Sequence, residues 1–141
     1  MRTVLDRLKP RYRLAFLCHN AKEYELAGAL DPSLERILPK TPKEYFEVAA
    51  RAAGAVCNRL HASVAMAGMG IPSVAIGTDT RLLMVDAVGI PALYVKDATA
   101  ERVLEEFEAG MERREEVRER LLAASDETWA AYVSAIRTAL N

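Results

Sequence analysis

The stretch GIPSVAIG, residues 70–77, indicates the fold class of this sequence. It follows a segment rich in small residues, and its core SVAI is a short apolar run typical of a buried strand. The tripeptide Gly-Ile-Pro returns at residues 89–91, in front of the apolar run ALYV. In both places glycine suits the left-handed end of a helix, and proline suits the first position of a strand. Two successive helix–turn–strand units predict a parallel α/β fold.

The same alternation of helical and strand patterns extends toward the N-terminus. Asn20, Thr41 and Asn58 stand where N-terminal helix caps are expected, and a glutamate three residues after each of the first two completes a capping box. Proline at position 42 suits the first helical position. The elements that we predict are helices at 4–9, 21–30, 42–53, 58–67 and 80–88, and strands at 14–18, 36–38, 55–57, 73–76 and 92–95.

These elements predict an α/β core at residues 1–97 and C-terminal helices at residues 98–141, together forming one domain. Because parallel strands are joined by right-handed crossovers, the helices are expected on the faces of the sheet. We therefore predict a Rossmann-like three-layer sandwich around a mainly parallel sheet of four to five strands.

The C-terminal segment has two distinct patterns. Residues 111–120 are nearly all Glu and Arg, which is typical of a solvated helix face. The triplet Ser125-Asp126-Glu127 is expected to start a final helix. Its apolar stripe of Trp129, Tyr132, Val133 and Ile136 is expected to pack on its own domain.

Composition excludes several classes of protein. The 141 residues include 19 basic and 20 acidic side chains, so a nucleic-acid partner is not expected. No apolar run approaches the roughly 20 residues of a membrane-spanning helix, and the charged N-terminus lacks a signal-peptide pattern. Cys18 and Cys57 are interpreted as reduced thiols of a cytoplasmic protein. Two cysteines and two histidines at scattered spacings predict no metal site.

Polar residues cluster where three predicted strands end. Ligands of open parallel sheets bind beyond the carboxyl ends of the strands, so these residues are expected to share one crevice. The candidates are His19 after the first strand, Asn58, Arg59, Leu60 and His61 after the third, and Asp79 and Arg81 after the fourth.

Arg59 and His61 fall in the predicted first turn of a helix. Free backbone N–H groups and the helix dipole favour an anion there, and a guanidinium adds a bidentate fork for phosphate or carboxylate. Histidine can give a proton to a bound substrate near neutral pH. Structural interpretations stay open for each candidate: an ion pair for Arg59, a buried structural role for His61 and for His19, a helix cap for Asp79 and a surface position for Arg81.

Two stretches, AGAVCNRLHA at 53–62 and GIPSVAIGTD at 70–79, resemble the C-terminal half of the polysaccharide pyruvyl transferase family. Its members carry an Arg-Leu-His-like motif, a small-residue helix, Gly-x-Pro, an apolar strand and a Gly-x-Asp turn. The resemblance extends from about Arg13 to Val95. It implies an architecture like that of two-domain glycosyltransferase-B enzymes, with this chain matching the second half.

The resemblance also implies an activity: transfer of enolpyruvate from phosphoenolpyruvate onto two hydroxyls of a sugar, as a cyclic ketal, in bacterial exopolysaccharide or cell-wall biosynthesis. Arg59 would hold the phosphate or carboxylate of the donor, His61 would be the general acid, and the backbone at Leu60 would help to grip the donor. His19, Asn58, Asp79 and Arg81 are further substrate-binding candidates. No organic cofactor and no metal are required.

The partners expected from the resemblance are phosphoenolpyruvate and a glycan acceptor. The half of the family that helps to bind the acceptor is not in this chain, so we expect the chain alone to lack full activity. Three possibilities stay open: the sheet is rearranged, a second copy or a separate N-terminal half completes it, or the chain is a fragment. The expected location is the cytoplasm or the periphery of the inner membrane. Two alternatives stay open: a domain that binds phosphoenolpyruvate, phosphate or a sugar nucleotide without catalysis, and the donor domain of a nucleotide-sugar glycosyltransferase.

Overall fold

A computed structural model describes residues 1–78 and 81–140 of the chain. The chain forms two compact units, Met1–Arg51 and Ala52–Asn141. Every strand pair found among the described residues is parallel. The predicted α/β class is therefore confirmed, and the layout is consistent with a Rossmann-like one.

The first unit alternates three helices with two strands. Strands β1 and β2 form a parallel pair, with Ala15 opposite Glu35 and Leu17 opposite Ile37. The elements are α1 (Arg2–Leu8), β1 (Ala15–Leu17), α2 (Ala21–Leu30), β2 (Glu35–Ile37) and α3 (Pro42–Ala49).

The predicted caps of α2 and α3 are confirmed. Asn20 Oδ1 accepts a hydrogen bond from the Glu23 N–H at 3.0 Å, and Thr41 Oγ1 accepts one from the Glu44 N–H at 3.2 Å. The Glu23 carboxylate accepts a hydrogen bond from the His19 N–H at 2.8 Å, and the Glu44 carboxylate accepts one from the Lys40 N–H at 2.7 Å. Each helix start is thus closed by interactions within five residues of chain, which is why it could be predicted locally.

Helix α3 ends at Ala49, four residues before the predicted end at 53. The N–H of Arg51 bonds to the carbonyl of Val48 at 3.2 Å, a tightened last turn that closes the helix.

The second unit is built on a three-stranded parallel sheet in the order β3-β4-β5. Cys57 of β3 lies opposite Ala75 of β4, and Gly77 of β4 lies opposite Tyr94 of β5. The elements are β3 (Ala55–Cys57), α4 (Leu60–Gly68), β4 (Ser73–Gly77), a 3₁₀ helix (Leu82–Val88), β5 (Ala92–Tyr94), α5 (Ala100–Glu112) and α6 (Arg114–Leu140).

The two Gly-Ile-Pro junctions have the predicted geometry. Gly70 has φ +67° and Gly89 has φ +82°, a left-handed conformation that glycine adopts without the steric cost of a Cβ. The next residue at each junction, Ile71 or Ile90, is buried. Each junction therefore places a core side chain shortly before a strand. One cluster of buried core residues around β4 comprises Ala67, Ala75, Leu82, Val85, Ile90, Val117 and Leu121.

The helix predicted at 80–88 is present in the described residues as a 3₁₀ helix, Leu82–Val88. Two predictions about the second unit are wrong. The helix predicted to start at Ser125 is the continuation of α6, because the residues before it are already helical and no cap is needed. The stripe expected to pack on its own domain is largely exposed, with Trp129 66% and Tyr132 57% accessible.

The described strands number five, in sheets of two and three. A single sheet of four to five strands, and a single domain over the whole chain, stay predictions. Across the described ranges, no helix combines the length and apolar character needed to cross a membrane.

Candidate functional site

The carboxyl ends of β3, β4 and β5 lie at one edge of their sheet, because the three strands are parallel. β3 ends at Cys57, opposite Ala75, while β4 runs two residues further to Gly77. The segment 58–61 therefore leaves β3 at the edge from which Thr78 leaves β4. The structure brings these two predicted strand exits together.

Helix α4 begins differently from the prediction. Arg59, not Asn58, is its N-cap: the Arg59 backbone is extended (φ −131°, ψ 136°), and Leu60 is the first helical residue. Asn58 therefore lies before the cap, exposed, and does not cap the helix. The cap is set by the backbone of Arg59, whose carbonyl accepts the Ser63 N–H at 3.0 Å and the Ser63 hydroxyl at 3.1 Å.

The start of α4 also differs electrostatically from the starts of α2, α3 and α5. Each of those has a side-chain cap and a glutamate in its first turn, at Glu23, Glu44 and Glu101. The described first turn of α4 has neither an acidic residue nor a side-chain cap. Instead, Arg59 at the cap and His61 in the first turn are both exposed. The positive end of the helix dipole thus carries basic side chains, an arrangement that favours an anionic ligand.

The helix geometry supplies further donors at the same place. The N–H groups of Leu60, His61 and Ala62 have no acceptor within the helix, since the first intrahelical bond is made by the Ser63 N–H. No hydrogen bond or ion pair of the His61 ring is found among the described residues. Backbone donors, a guanidinium and an imidazole are therefore grouped within one helical turn.

Ser63 belongs to this site, although it is not among the residues predicted for it. It is completely buried, and its hydroxyl holds the Arg59 carbonyl. The signal was its position four residues after the cap, from which a serine hydroxyl can bond back to the helix backbone.

Cys57, the last residue of β3, lies beneath this cap and is buried. Burial raises the pKa of its thiol to about 11, and a hydrogen bond with the Ser63 hydroxyl acts in the opposite direction. The thiol is therefore protonated at neutral pH and is not a nucleophile.

Gly77 shapes the edge of the sheet next to this helix start. A Cβ placed there would lie 2.6 Å from Leu82 Cβ, closer than real Cβ atoms approach one another. The missing side chain lets the buried Leu82 pack directly over the end of β4.

Arg81, just before Leu82, is exposed, and its carbonyl accepts a hydrogen bond from the Met84 N–H at 3.1 Å. Asp79 lies outside the described residues.

His19 belongs to the first unit, at the end of β1. Its Nδ1 lies 3.3 Å from Glu23 Oε2, and its ring centroid is 5.2 Å from that of Tyr45. Glu23 and Tyr45 were not among the predicted residues, although the i,i+4 spacing of His19 and Glu23 on a helix start was a signal for the first. A crevice shared by all three strand exits stays a prediction.

The described residues contain no group of three or more His, Cys, Asp or Glu side chains that could bind a metal ion. Comparison with protein-family models, with curated proteins and with solved structures gives no match.

Proposed function

We propose that the start of helix α4 binds a small dianionic or trianionic donor, phosphoenolpyruvate, in a pyruvyl transferase. The observation that carries the proposal is the basic, acid-free start of α4 at the carboxyl edge of a parallel sheet. Ligands of such sheets bind at this edge. The resemblance of residues 53–62 and 70–79 to the pyruvyl transferase family supplies the reaction.

In this proposal Arg59 binds the phosphate or carboxylate of the donor in bidentate fashion, and the free N–H groups at the start of α4 add hydrogen bonds. His61 gives its proton to the methylene carbon of phosphoenolpyruvate, while a sugar hydroxyl forms a bond to the adjacent carbon. The proton that this hydroxyl loses returns to His61. A second hydroxyl then displaces inorganic phosphate, which takes up the second proton, and closes the ketal. The products are the pyruvylated sugar and free phosphate.

The Cys57–Ser63–Arg59 contacts fit such a site, because they fix the backbone from which Arg59 and His61 project. A cap held by a buried hydroxyl keeps the donors in place before the ligand arrives, which reduces the ordering cost of binding.

The larger architecture is part of the proposal. It consists of one mainly parallel sheet of four to five strands in a single Rossmann-like domain, equivalent to the C-terminal half of a glycosyltransferase-B-type fold. The acceptor sugar is proposed to bind to the other half of such an enzyme. Asn58, Asp79 and Arg81 are proposed to complete the donor pocket, and His19 of the first unit stays a predicted substrate-binding residue.

A nucleotide-sugar donor is disfavoured by the same helix start. Sites for such donors often place a carboxylate there to accept the ribose hydroxyls, whereas the described first turn of α4 contains no acidic residue. Arg59 and His61 instead suit a compact anion.

Titration calorimetry tests the binding step, with phosphoenolpyruvate, inorganic phosphate and a UDP-sugar as ligands. We expect phosphoenolpyruvate to bind most tightly and Arg59→Ala to weaken it by about tenfold to a hundredfold, the range for a lost charge-assisted hydrogen bond. The matched control is Arg114→Ala, an exposed arginine at the start of α6. Tighter binding of the UDP-sugar, or equal binding by wild type and Arg59→Ala, would overturn the proposal.

A second experiment separates binding from catalysis. His61→Gln keeps a hydrogen-bonding side chain but cannot act as a general acid, so it is expected to bind phosphoenolpyruvate within a fewfold of wild type and to release no phosphate when acceptor and second half are supplied. Phosphate release at the wild-type rate by this variant contradicts the role of His61. Ketal formation by the purified chain alone contradicts the need for a second half.

A further inference from the structure

The C-terminal part of α6, residues 125–140, presents an apolar surface to solvent; we name this segment the α6 tail. Its large apolar side chains recur every three or four residues and so lie on one face. That face is open: the accessible fractions are 66% for Trp129, 57% for Tyr132, 41% for Ile136 and 82% for Leu140. The last buried residues of α6 are Val117 and Leu121, well before the tail begins.

Such a helix is poorly supported by its own chain. Most helical stability in proteins comes from packing an apolar face. The polar groups of the tail do not compensate: from residue 128 to 140 the only charged side chain is Arg137. The Thr128 hydroxyl bonds back to the Ala124 carbonyl at 2.7 Å. We therefore expect another surface to cover this apolar face.

The chemistry of the tail favours another helix over a lipid surface. Helices that lie on anionic membranes are rich in Lys and Arg on their polar face. Here the tail begins with Asp126 and Glu127, which anionic lipids repel. Small exposed residues, Ala135 and Ala139, flank the stripe and allow close approach of a second backbone.

We propose that the α6 tail binds the α6 tail of a second copy of this chain, with the two helices antiparallel. Placing the two-fold axis between Ala130 and Ala131 puts Trp129 opposite Tyr132 of the second copy, on both sides of the axis. The same alignment puts the large Ile136 opposite the small Ser125. The aromatic pair thus lies at the centre, where hot spots concentrate, and Ile136 meets a small residue.

Charge supports the antiparallel direction. Asp126 and Arg137 are 11 residues apart, close to three helical turns, so they lie on the same flank of the stripe. In the antiparallel alignment Asp126 of one copy lies within about 3 Å along the axis of Arg137 of the second copy, twice in each dimer. In a parallel pair the flanks that carry these charges lie on opposite sides of the seam, so Asp126 and Arg137 of the two copies would not meet and neither ion pair would form. The charge pattern therefore favours the antiparallel pair.

Sedimentation equilibrium of the full chain, from about 1 to 300 µM, tests the interface in the range where modest interfaces associate. The wild type is expected to shift toward twice the chain mass. Trp129→Glu should weaken association at least tenfold, since it places a charge in the aromatic centre. Ala131→Glu, an exposed position on the opposite face, is the matched control and should behave as wild type. A wild type that is monomeric throughout, or Trp129→Glu that associates normally, overturns the proposal.

Charge reversal tests the direction of the helices. Asp126→Arg and Arg137→Asp should each weaken association, because each brings like charges together twice per dimer, and the double variant should regain wild-type association. In a parallel pair the two charged flanks do not meet, so the single reversals would leave association unchanged. Circular dichroism confirms that each variant keeps its helices. Unchanged association in the single variants, or no recovery in the double variant, overturns the antiparallel arrangement.

Discussion

Ser63 and Arg59 are joined twice across the first turn of α4. The backbone N–H of Ser63 and its hydroxyl both donate to the Arg59 carbonyl, at 3.0 and 3.1 Å. Ser63 is completely buried, whereas the Arg59 side chain is exposed. A buried hydroxyl thus fixes the backbone of the residue that we propose to bind the donor anion.

Replacement of Ser63 measures this contact. Ser63→Ala removes the hydroxyl bond but leaves the Arg59 carbonyl bonded to the backbone, so the free energy of unfolding should fall by about 1 kcal/mol. Ser73→Ala is the matched control, because the Ser73 hydroxyl is buried and finds no hydrogen-bond partner among the described residues. That variant should be neutral or slightly stabilised in urea titration. A larger loss for Ser73→Ala than for Ser63→Ala would contradict these roles.

The thiol of Cys57 is expected to be unreactive in the folded protein. Burial holds its pKa at about 11, so at pH 8 only about one thiol in a thousand would be ionised, and little of it is accessible. Alkylation by iodoacetamide, followed by mass spectrometry, should label Cys57 only slowly in the native protein and rapidly in urea. Native labelling at the rate of the unfolded chain would show that the end of β3 is open.

Gly89 requires a left-handed backbone, and its replacement should be costly. Gly89→Ala is expected to lower the free energy of unfolding by about 1 to 2 kcal/mol, the cost of placing a Cβ residue at positive φ. Gly68→Ala provides the control: it lies in α4, and a Cβ there would meet no atom within 4 Å. Because alanine favours helix over glycine, that variant should be stabilised by up to about 1 kcal/mol. Equal effects of the two substitutions would contradict the conformation at Gly89.

Acid should weaken the first unit through Asp31. Its carboxylate accepts hydrogen bonds from the Lys9 ammonium and from the Ser33 hydroxyl at 2.6 Å, and these bonds lower its pKa from 3.8 to about 2. Because the folded-state pKa is depressed, the stabilisation of the folded state by ionised Asp31 is complete above pH 3.8 and is lost as the pH falls through 2. NMR titration of Asp31 should give this pKa directly, and Lys9→Met should return it toward 3.8. An unshifted pKa in the wild type would contradict the ion pair.

The sequence determined most of the features that depend on interactions within four or five residues. The caps at Asn20 and Thr41 and the left-handed glycines at 70 and 89 follow from side-chain and backbone geometry close in the chain, which is why they were predicted correctly. The apolar runs also gave all five strands and the parallel pairing, since short runs between helices are typical of covered strands.

The N-cap of α4 was decided only by the tertiary structure, because two residues could locally take that position. Asn58 and Arg59 are both able to precede a helix, and the choice of Arg59 as N-cap is accompanied by the burial of Ser63 beneath it. At the candidate site, the residue types at 59 and 61 were evident in the sequence, but the part played by Ser63 was not. The packing of Leu82 against Gly77 likewise joins two elements through a contact that no local pattern encodes.

The α6 tail illustrates the same limit. Its stripe of Trp129, Tyr132 and Ile136 is evident from spacing alone, because three- and four-residue intervals define a helical face. Whether that face is covered depends on which other residues surround it in space. The sequence determined the helix and its stripe, and only the tertiary structure decided that the stripe faces solvent, since burial is a property of the packed chain rather than of any segment.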